Sequence, residues 1–184
     1  DTVCPVWVQH IDKIVDLRRN LVEESIIPET AKGALQSIES RGHPWRGTTL
    51  KRTDWAQGLG IKTLAEDSKV DILYWVGCTE ALEERSVKVA QSFAKLMKQA
   101  GLSFGILGAE ESCCGDPARR LGHEYLFQTL AQNNIEVLKR YNVKKIVTGC
   151  PHCYNTIKNE YPQFDGNFEV IHHTELIAGL LKEG

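Results

Sequence analysis

The chain contains no apolar run approaching the ~20 residues needed to cross a bilayer, and no charged start leading through an apolar stretch to a small-residue cleavage site. A soluble chain is the expectation. It also lacks an excess of either charge: 22 Lys and Arg against 24 Asp and Glu give a net charge of −2, with both signs mixed along the sequence. That leaves no electrostatic footprint for a nucleic acid, so none is expected as a partner. Nor is this the cysteine pattern of a small secreted scaffold. Six cysteines sit in short motifs within 184 residues of which 42% are hydrophobic, enough to bury a core without disulfide staples. They read as reduced thiols in the cytoplasm. A starting methionine is missing as well. The sequence opens at Asp1, and Val3-Cys4-Pro5-Val6 has no second cysteine nearby, so the expectation is a fragment of something longer.

What is present is a regular pattern. Val8, Ile11, Ile14, Val15, Leu17 and Leu21 recur at near-helical spacing between charges, which predicts an amphipathic helix over Trp7–Val22. A second helix is expected after Pro28. The glycine-rich stretch between Ser40 and Gly60 predicts a connector, with Trp45 and Trp55 as packing anchors. From Val70 onward, strand-like runs at Ile72–Val76, Phe104–Leu107, Lys145–Thr148 and Phe168–Ile171 alternate with helical patterns at Glu80–Ala100, Ala118–Tyr141, Cys153–Glu160 and Thr174–Leu181. The expected fold is α/β, a four-stranded, mostly parallel sheet flanked by helices, with an N-terminal helical extension. Residues 1–68 are assigned to the extension and connector, and 69–184 to a cysteine-rich α/β domain. Such an order places a ligand crevice at the carboxyl ends of the strands.

The cysteines follow the strands. Cys78 comes after the first, Cys113-Cys114-Gly115 after the second, and Cys150-Pro151-His152-Cys153 after the third. Three separate strand-to-helix turns therefore carry five thiols to one edge, which describes a redox metal site. Asp116 before Pro117 reads as a helix cap, Pro151 as a first helical residue and Thr79 as a cap after Cys78. Helix starts facing the thiols favour thiolates. Tetrahedral zinc takes four ligands, whereas here there are five thiols, two of them adjacent; a vicinal pair suits a cluster of several irons better. Zinc stays open as an alternative, as does a thioredoxin-like dithiol at Cys150 and Cys153.

Other polar residues stand near the same edge. His152, Asp116 and His173 are candidates for proton handling, against the ordinary readings of a packing histidine and a helix cap. His172 shares that ordinary reading. Arg119 and Arg120 are expected mainly on the surface, and Glu110 and Glu111 in a solvated loop.

On one Cys, then CCG, then CxxC, with 34 residues separating Cys78 from Cys113 and 34 separating Gly115 from Cys150, the sequence from about Val70 to Leu181 resembles the cysteine-rich CCG domain. That domain is shared by the B and D subunits of heterodisulfide reductase, the small subunit of anaerobic glycerol-3-phosphate dehydrogenase and lactate-utilisation iron–sulfur proteins. Trp75-Val-Gly-Cys78, Gly115-Asp-Pro-Ala-Arg119 and Cys150-Pro-His-Cys153-Tyr-Asn-Thr resemble the first CCG half of membrane-associated Fe–S oxidoreductases. The resemblance implies that Cys78, Cys113, Cys114, Cys150 and Cys153 hold a [4Fe–4S] cluster, of the non-cubane kind, used for electron transfer or disulfide reduction. It implies a zinc or docking domain as the alternative. It implies, too, that Cys4-Pro5 is the last ligand of a lost ferredoxin cluster and that a ferredoxin-like or flavoprotein donor supplies electrons. Family members carry two CCG halves and this chain has one. The expected component is therefore incomplete alone, completed by a second half or a homodimer partner, and cytoplasmic, with any membrane-bound complex reached through a partner or a missing segment.

Overall fold

A computed structural model describes residues 3–183; Asp1, where the expected truncation would lie, is outside them. Helix α1 spans Ile11–Glu23 and α2 spans Glu29–Arg41. The stripe that makes α1 helical does not reach the core: Val15 alone is buried, while Ile11, Ile14, Leu17 and Leu21 face outward. Arginines fasten it instead, Arg18 donating to the Arg120 carbonyl at 2.8 Å and Arg19 to the Glu124 carboxylate at 2.7 Å. By contrast, Leu35 and Ile38 of α2 enter the main core.

The remaining elements alternate as expected. They are β1 (Ile72–Tyr74), α3 (Gly77–Leu82), α4 (Glu84–Gln99), β2 (Phe104–Gly105), α5 (Asp116–Arg120), α6 (Glu124–Arg140), β3 (Lys145–Thr148), α7 (Pro151–Asn155), β4 (Glu169–His172) and α8 (His173–Glu183). The sheet runs β2-β1-β3-β4, and all its pairings are parallel rather than mostly so. Alternate strand residues point to opposite faces. Leu73, Trp75 and Ile146 pack with α2 and α6 on one side, and Ile72, Tyr74, Val76 and Val147 with α3, α4 and α8 on the other. Each large side chain buried this way contributes about 1.5–3 kcal/mol.

The first two long helices predicted after β1 and β2 are each divided. Glu83 is extended, and its carboxylate accepts from the Arg85 and Ser86 amides to start α4 afresh. His123 Nδ1 accepts from the Leu126 amide at 3.2 Å to start α6. The third begins at Pro151, with Cys150 as its cap, and widens into a loose turn over Thr156–Glu160. The connector is held by one tryptophan rather than two. Trp55 is buried edge-on against Tyr74 at 5.7 Å, whereas Trp45 is 39% exposed. Further on, the Leu64 amide donates to the Ile106 carbonyl at 2.8 Å and the Ile106 amide to the Lys62 carbonyl at 3.2 Å, so the connector pairs alongside the outer sheet edge. Among the described residues no helix is long and apolar enough to cross a membrane.

Candidate metal centre

Strand order reverses between β1 and β3, the place where parallel sheets open a crevice beyond their carboxyl ends. Cys78 follows β1 and Cys150 follows β3, so these thiols flank the crevice, and the loop after β2 brings in Cys113 and Cys114. All five expected cysteines line one pocket of about 200 Å³, with Pro44 and Trp45 of the connector and His152 beside them. Each thiol affects the titration of the next, in the order Cys78, Cys113, Cys114, Cys153 and Cys150. Cys153 Sγ lies 3.5 Å from Cys114 Sγ. Cys4 does not line this pocket. Among the described residues, no three His, Cys, Asp or Glu side chains are arranged to hold a single ion.

Local geometry explains how the thiols come so close. Gly77 has φ +79°, and a Cβ there would stand 3.1 Å from Cys153 Sγ. Gly115 has φ +92°, and its Cβ would be 2.7 Å from the Phe127 ring. Only glycine takes both that conformation and that space without strain. The vicinal pair is fixed from behind: Asn134 Nδ2 donates to the Cys113 carbonyl at 2.9 Å, and the Tyr161 hydroxyl donates to the Cys114 carbonyl at 3.1 Å. Asn134 also donates to the Tyr161 oxygen at 3.0 Å. These groups are fully buried, where an unpaired carbonyl would cost about 1–3 kcal/mol.

The thiols divide into two kinds. Hydrogen bonds from Cys113 and Cys153, helped by the Asp116 amide, draw the Cys114 thiol below its ordinary range. A bond from Cys153, then the Cys153 and His152 amides at the start of α7, does the same for Cys150. Cys78, Cys113 and Cys153 are pushed up, each chiefly by a hydrogen bond to a neighbouring sulfur and then by burial. The Cys153 thiol donates to the Cys114 sulfur.

Residues 72–158 match the family model described as the cysteine-rich domain, CCG. This segment is a CCG domain. The chain is 44% identical over 187 residues to the EtfAB:quinone oxidoreductase of Syntrophomonas wolfei, covering 98% of this chain and 26% of that protein. It is 48% identical over 189 residues to the probable iron-sulfur-binding oxidoreductase FadF of Bacillus subtilis, covering 98% and 27%. It is also 29% identical over 188 residues to the D subunit of the dihydromethanophenazine:CoB–CoM heterodisulfide reductase of Methanosarcina barkeri, covering 98% and 44%. The chain spans about a quarter of the first two relatives and under half of the third. No solved structure gives a significant match.

Several polar residues around the CCG domain stand elsewhere than their sequence context predicts. Glu111 is not in a solvated loop. It is 4% exposed, accepts from the Val76 and Gly77 amides at 3.0 and 2.7 Å, and pairs with Arg52 at 2.9 Å. Burial pushes its carboxyl up, against the pull of Arg52 and the two amides. Asp116 is not a cap: Gly115 occupies that position, and the Asp116 carboxylate instead meets His152 Nδ1 at 2.9 Å and Arg120 Nε at 3.2 Å. Thr79 lies inside α3, whose cap position is Val76. Arg119 and Arg120 are spent on Glu160 rather than on sulfur.

Of the three proton-handling candidates, His152 is exposed at the pocket, and the Asp116 hydrogen bond raises its pKa. Asp116 reaches the site through His152. His173 does not line the pocket; it packs between His172, at 4.3 Å, and Phe93, at 5.5 Å. Its neighbour His172 touches the Gly149 carbonyl with Nε2 at 3.0 Å.

Arg52, Glu80, Asn134 and Tyr161 were not marked by any motif. Glu80 is buried beneath Gly149, bonded to the Tyr74 hydroxyl at 2.7 Å, and burial pushes its carboxyl up to about 7 despite that bond. For Asn134 a signal existed: it occupies a core position in the apolar series Leu130, Ala131, Ile135, Leu138 of α6.

Proposed function

We propose that this chain is an iron–sulfur oxidoreductase module, similar to those of heterodisulfide reductases, in which Cys78, Cys113, Cys114, Cys150 and Cys153 hold a [4Fe–4S] cluster of the non-cubane kind. The observation that carries this is the convergence of five cysteines on one pocket. An all-sulfur donor set fits iron–sulfur clusters or zinc. Five donors exceed the four of tetrahedral zinc, and a vicinal pair among them suits a cluster of several irons better than one ion. When bound, such a cluster supplies electron transfer at a potential set by charge, burial and hydrogen bonds to sulfur.

The residues of this chain prepare the site. Cys114 and Cys150 favour the thiolate form that metal ligation requires, Asn134 and Tyr161 hold the vicinal pair, and Trp45 and Pro44 form the pocket wall on the connector side. The names of the relatives support the redox reading, since each is an oxidoreductase or part of a reductase. As a component of about a quarter of such a protein, the chain would receive electrons from a ferredoxin-like protein or a flavoprotein. A second CCG half, or a second copy, would complete any disulfide chemistry. The proposed setting is the cytoplasm, with membrane attachment supplied by a partner.

Anaerobic reconstitution with iron and sulfide, followed by metal analysis and electron paramagnetic resonance, tests the assignment. The expected result is a brown protein with about four irons per chain, and Cys114→Ser losing at least half of them. A colourless protein with one zinc, or full iron and an unchanged spectrum in Cys114→Ser, would refute five-thiol iron ligation. A second reading has one observation in its favour, the lowered thiol of Cys150 at the start of α7 beside Cys153. A thiol–disulfide exchanger of this kind would keep its activity under chelation and lose it on Cys150→Ser alone.

A further inference from the structure

Arg52 belongs to the connector, outside the 72–158 match, yet its side chain is only 12% exposed and ends among the thiols. The guanidinium makes three contacts. Nη1 donates to Glu111 Oε1 at 2.9 Å, and Nη2 donates to the Gly42 carbonyl at 3.0 Å and to Cys78 Sγ at 3.3 Å. Glu111 in turn accepts from the amides of Val76 and Gly77, the two residues preceding Cys78. The arginine, the carboxylate and the peptide therefore form a closed ring around Cys78. Anchoring the connector needs only the first two contacts; the third directs positive charge at sulfur. Arginine suits this position because its planar fork can serve several acceptors at once, which a lysine ammonium on a flexible stem cannot do in the same geometry.

We propose that Arg52 is a positioning residue that raises the reduction potential of the thiol site through its hydrogen bond to Cys78 Sγ. This rests on the iron–sulfur reading above. Reduction adds negative charge that spreads onto the ligand sulfurs, and a cation donating N–H to one of those sulfurs stabilises the reduced form more than the oxidised form. The connector, by this account, completes the electrostatics of a site whose ligands all come from the CCG domain.

The test is a mediated dithionite titration of the reconstituted full chain, followed by electron paramagnetic resonance, in wild type, Arg52→Lys, Arg52→Gln and Lys51→Gln. Lys51 is the neighbouring exposed cation and controls for charge at a distance. Arg52→Gln is expected to lower the reduced-to-oxidised ratio at fixed poise about tenfold, equivalent to about 59 mV for one electron. Arg52→Lys should fall between it and wild type, and Lys51→Gln should match wild type. If Arg52→Gln fails to fold, the Lys variant decides alone, with iron content and circular dichroism confirming its integrity. A loaded wild type whose potential is shared by the Arg52 variants overturns the role of Arg52 and leaves the cluster standing, as does an equal shift in Lys51→Gln. A wild type that takes up no iron overturns the cluster reading and this inference together.

Discussion

Beside the thiol pocket the connector buries an imidazole without a partner for one of its nitrogens. His43 is 7% exposed, and its Nδ1 makes no hydrogen bond. Burial, then the charges of Arg41 and Arg52, holds its pKa below the ordinary histidine value. The unfolded chain therefore binds this proton more readily than the folded one. The stability contributed by keeping His43 neutral is fully present above about pH 6.5 and is lost as pH falls toward the lowered folded value. Urea titrations of the metal-free chain at pH 7 and pH 5 should show the midpoint falling with acid in wild type and falling less in His43→Gln. Equal decreases would refute it. At this scale the five cysteines were legible because a cysteine motif is local: CCG and CxxC name themselves. The Arg52–Glu111 pair was not, since its partners stand 59 positions apart and each belongs to an unremarkable charged stretch. Asn134 falls between these cases, a polar side chain where α6 otherwise presents apolar ones.

Between residues and molecule stand the short helices and turns that aim the thiols. Gly115 turns the chain from the vicinal pair into α5 with positive φ, against the Phe127 ring. Gly115→Ala should destabilise the fold by about 2 kcal/mol or more, from the left-handed backbone and the ring contact together. A chemical-denaturation series would measure it, and a change under about 0.5 kcal/mol, the size of an ordinary surface substitution, would contradict the geometry. Strand positions and the βα alternation were legible because apolar runs of four or five residues recur at regular intervals. Helix divisions at Glu83 and His123 were not, since each depends on a side chain capping the next helix. The periodicity of α1 correctly marked a helix and left its covering open: an amphipathic stripe shows which residues share a face, not whether anything covers them.

Taken whole, the metal-free chain carries a crowded set of buried and half-buried thiols, two of them biased toward thiolate. A bound group stabilises the state that holds it: at about 100 times its dissociation constant it adds about 2.7 kcal/mol, roughly 5–10 °C for a chain of this size. The anaerobically loaded protein should therefore melt above the chelated one by an interval of that order in a calorimetric scan, and identical melting curves would mean that the pocket retains nothing. The connector matters at this scale too. It supplies Pro44 and Trp45 to the pocket wall and Arg52 to Cys78, so a version of the CCG domain trimmed to residues 72–158 would lose one wall of its own site.

Both backbone hydrogen-bonding groups of Ile106 are already engaged by Lys62 and Leu64, which covers the border of the sheet at that residue. β4 flanks no other strand on its outward side among the described residues, so an additional domain that joined by extending the β-structure would find its backbone groups open there.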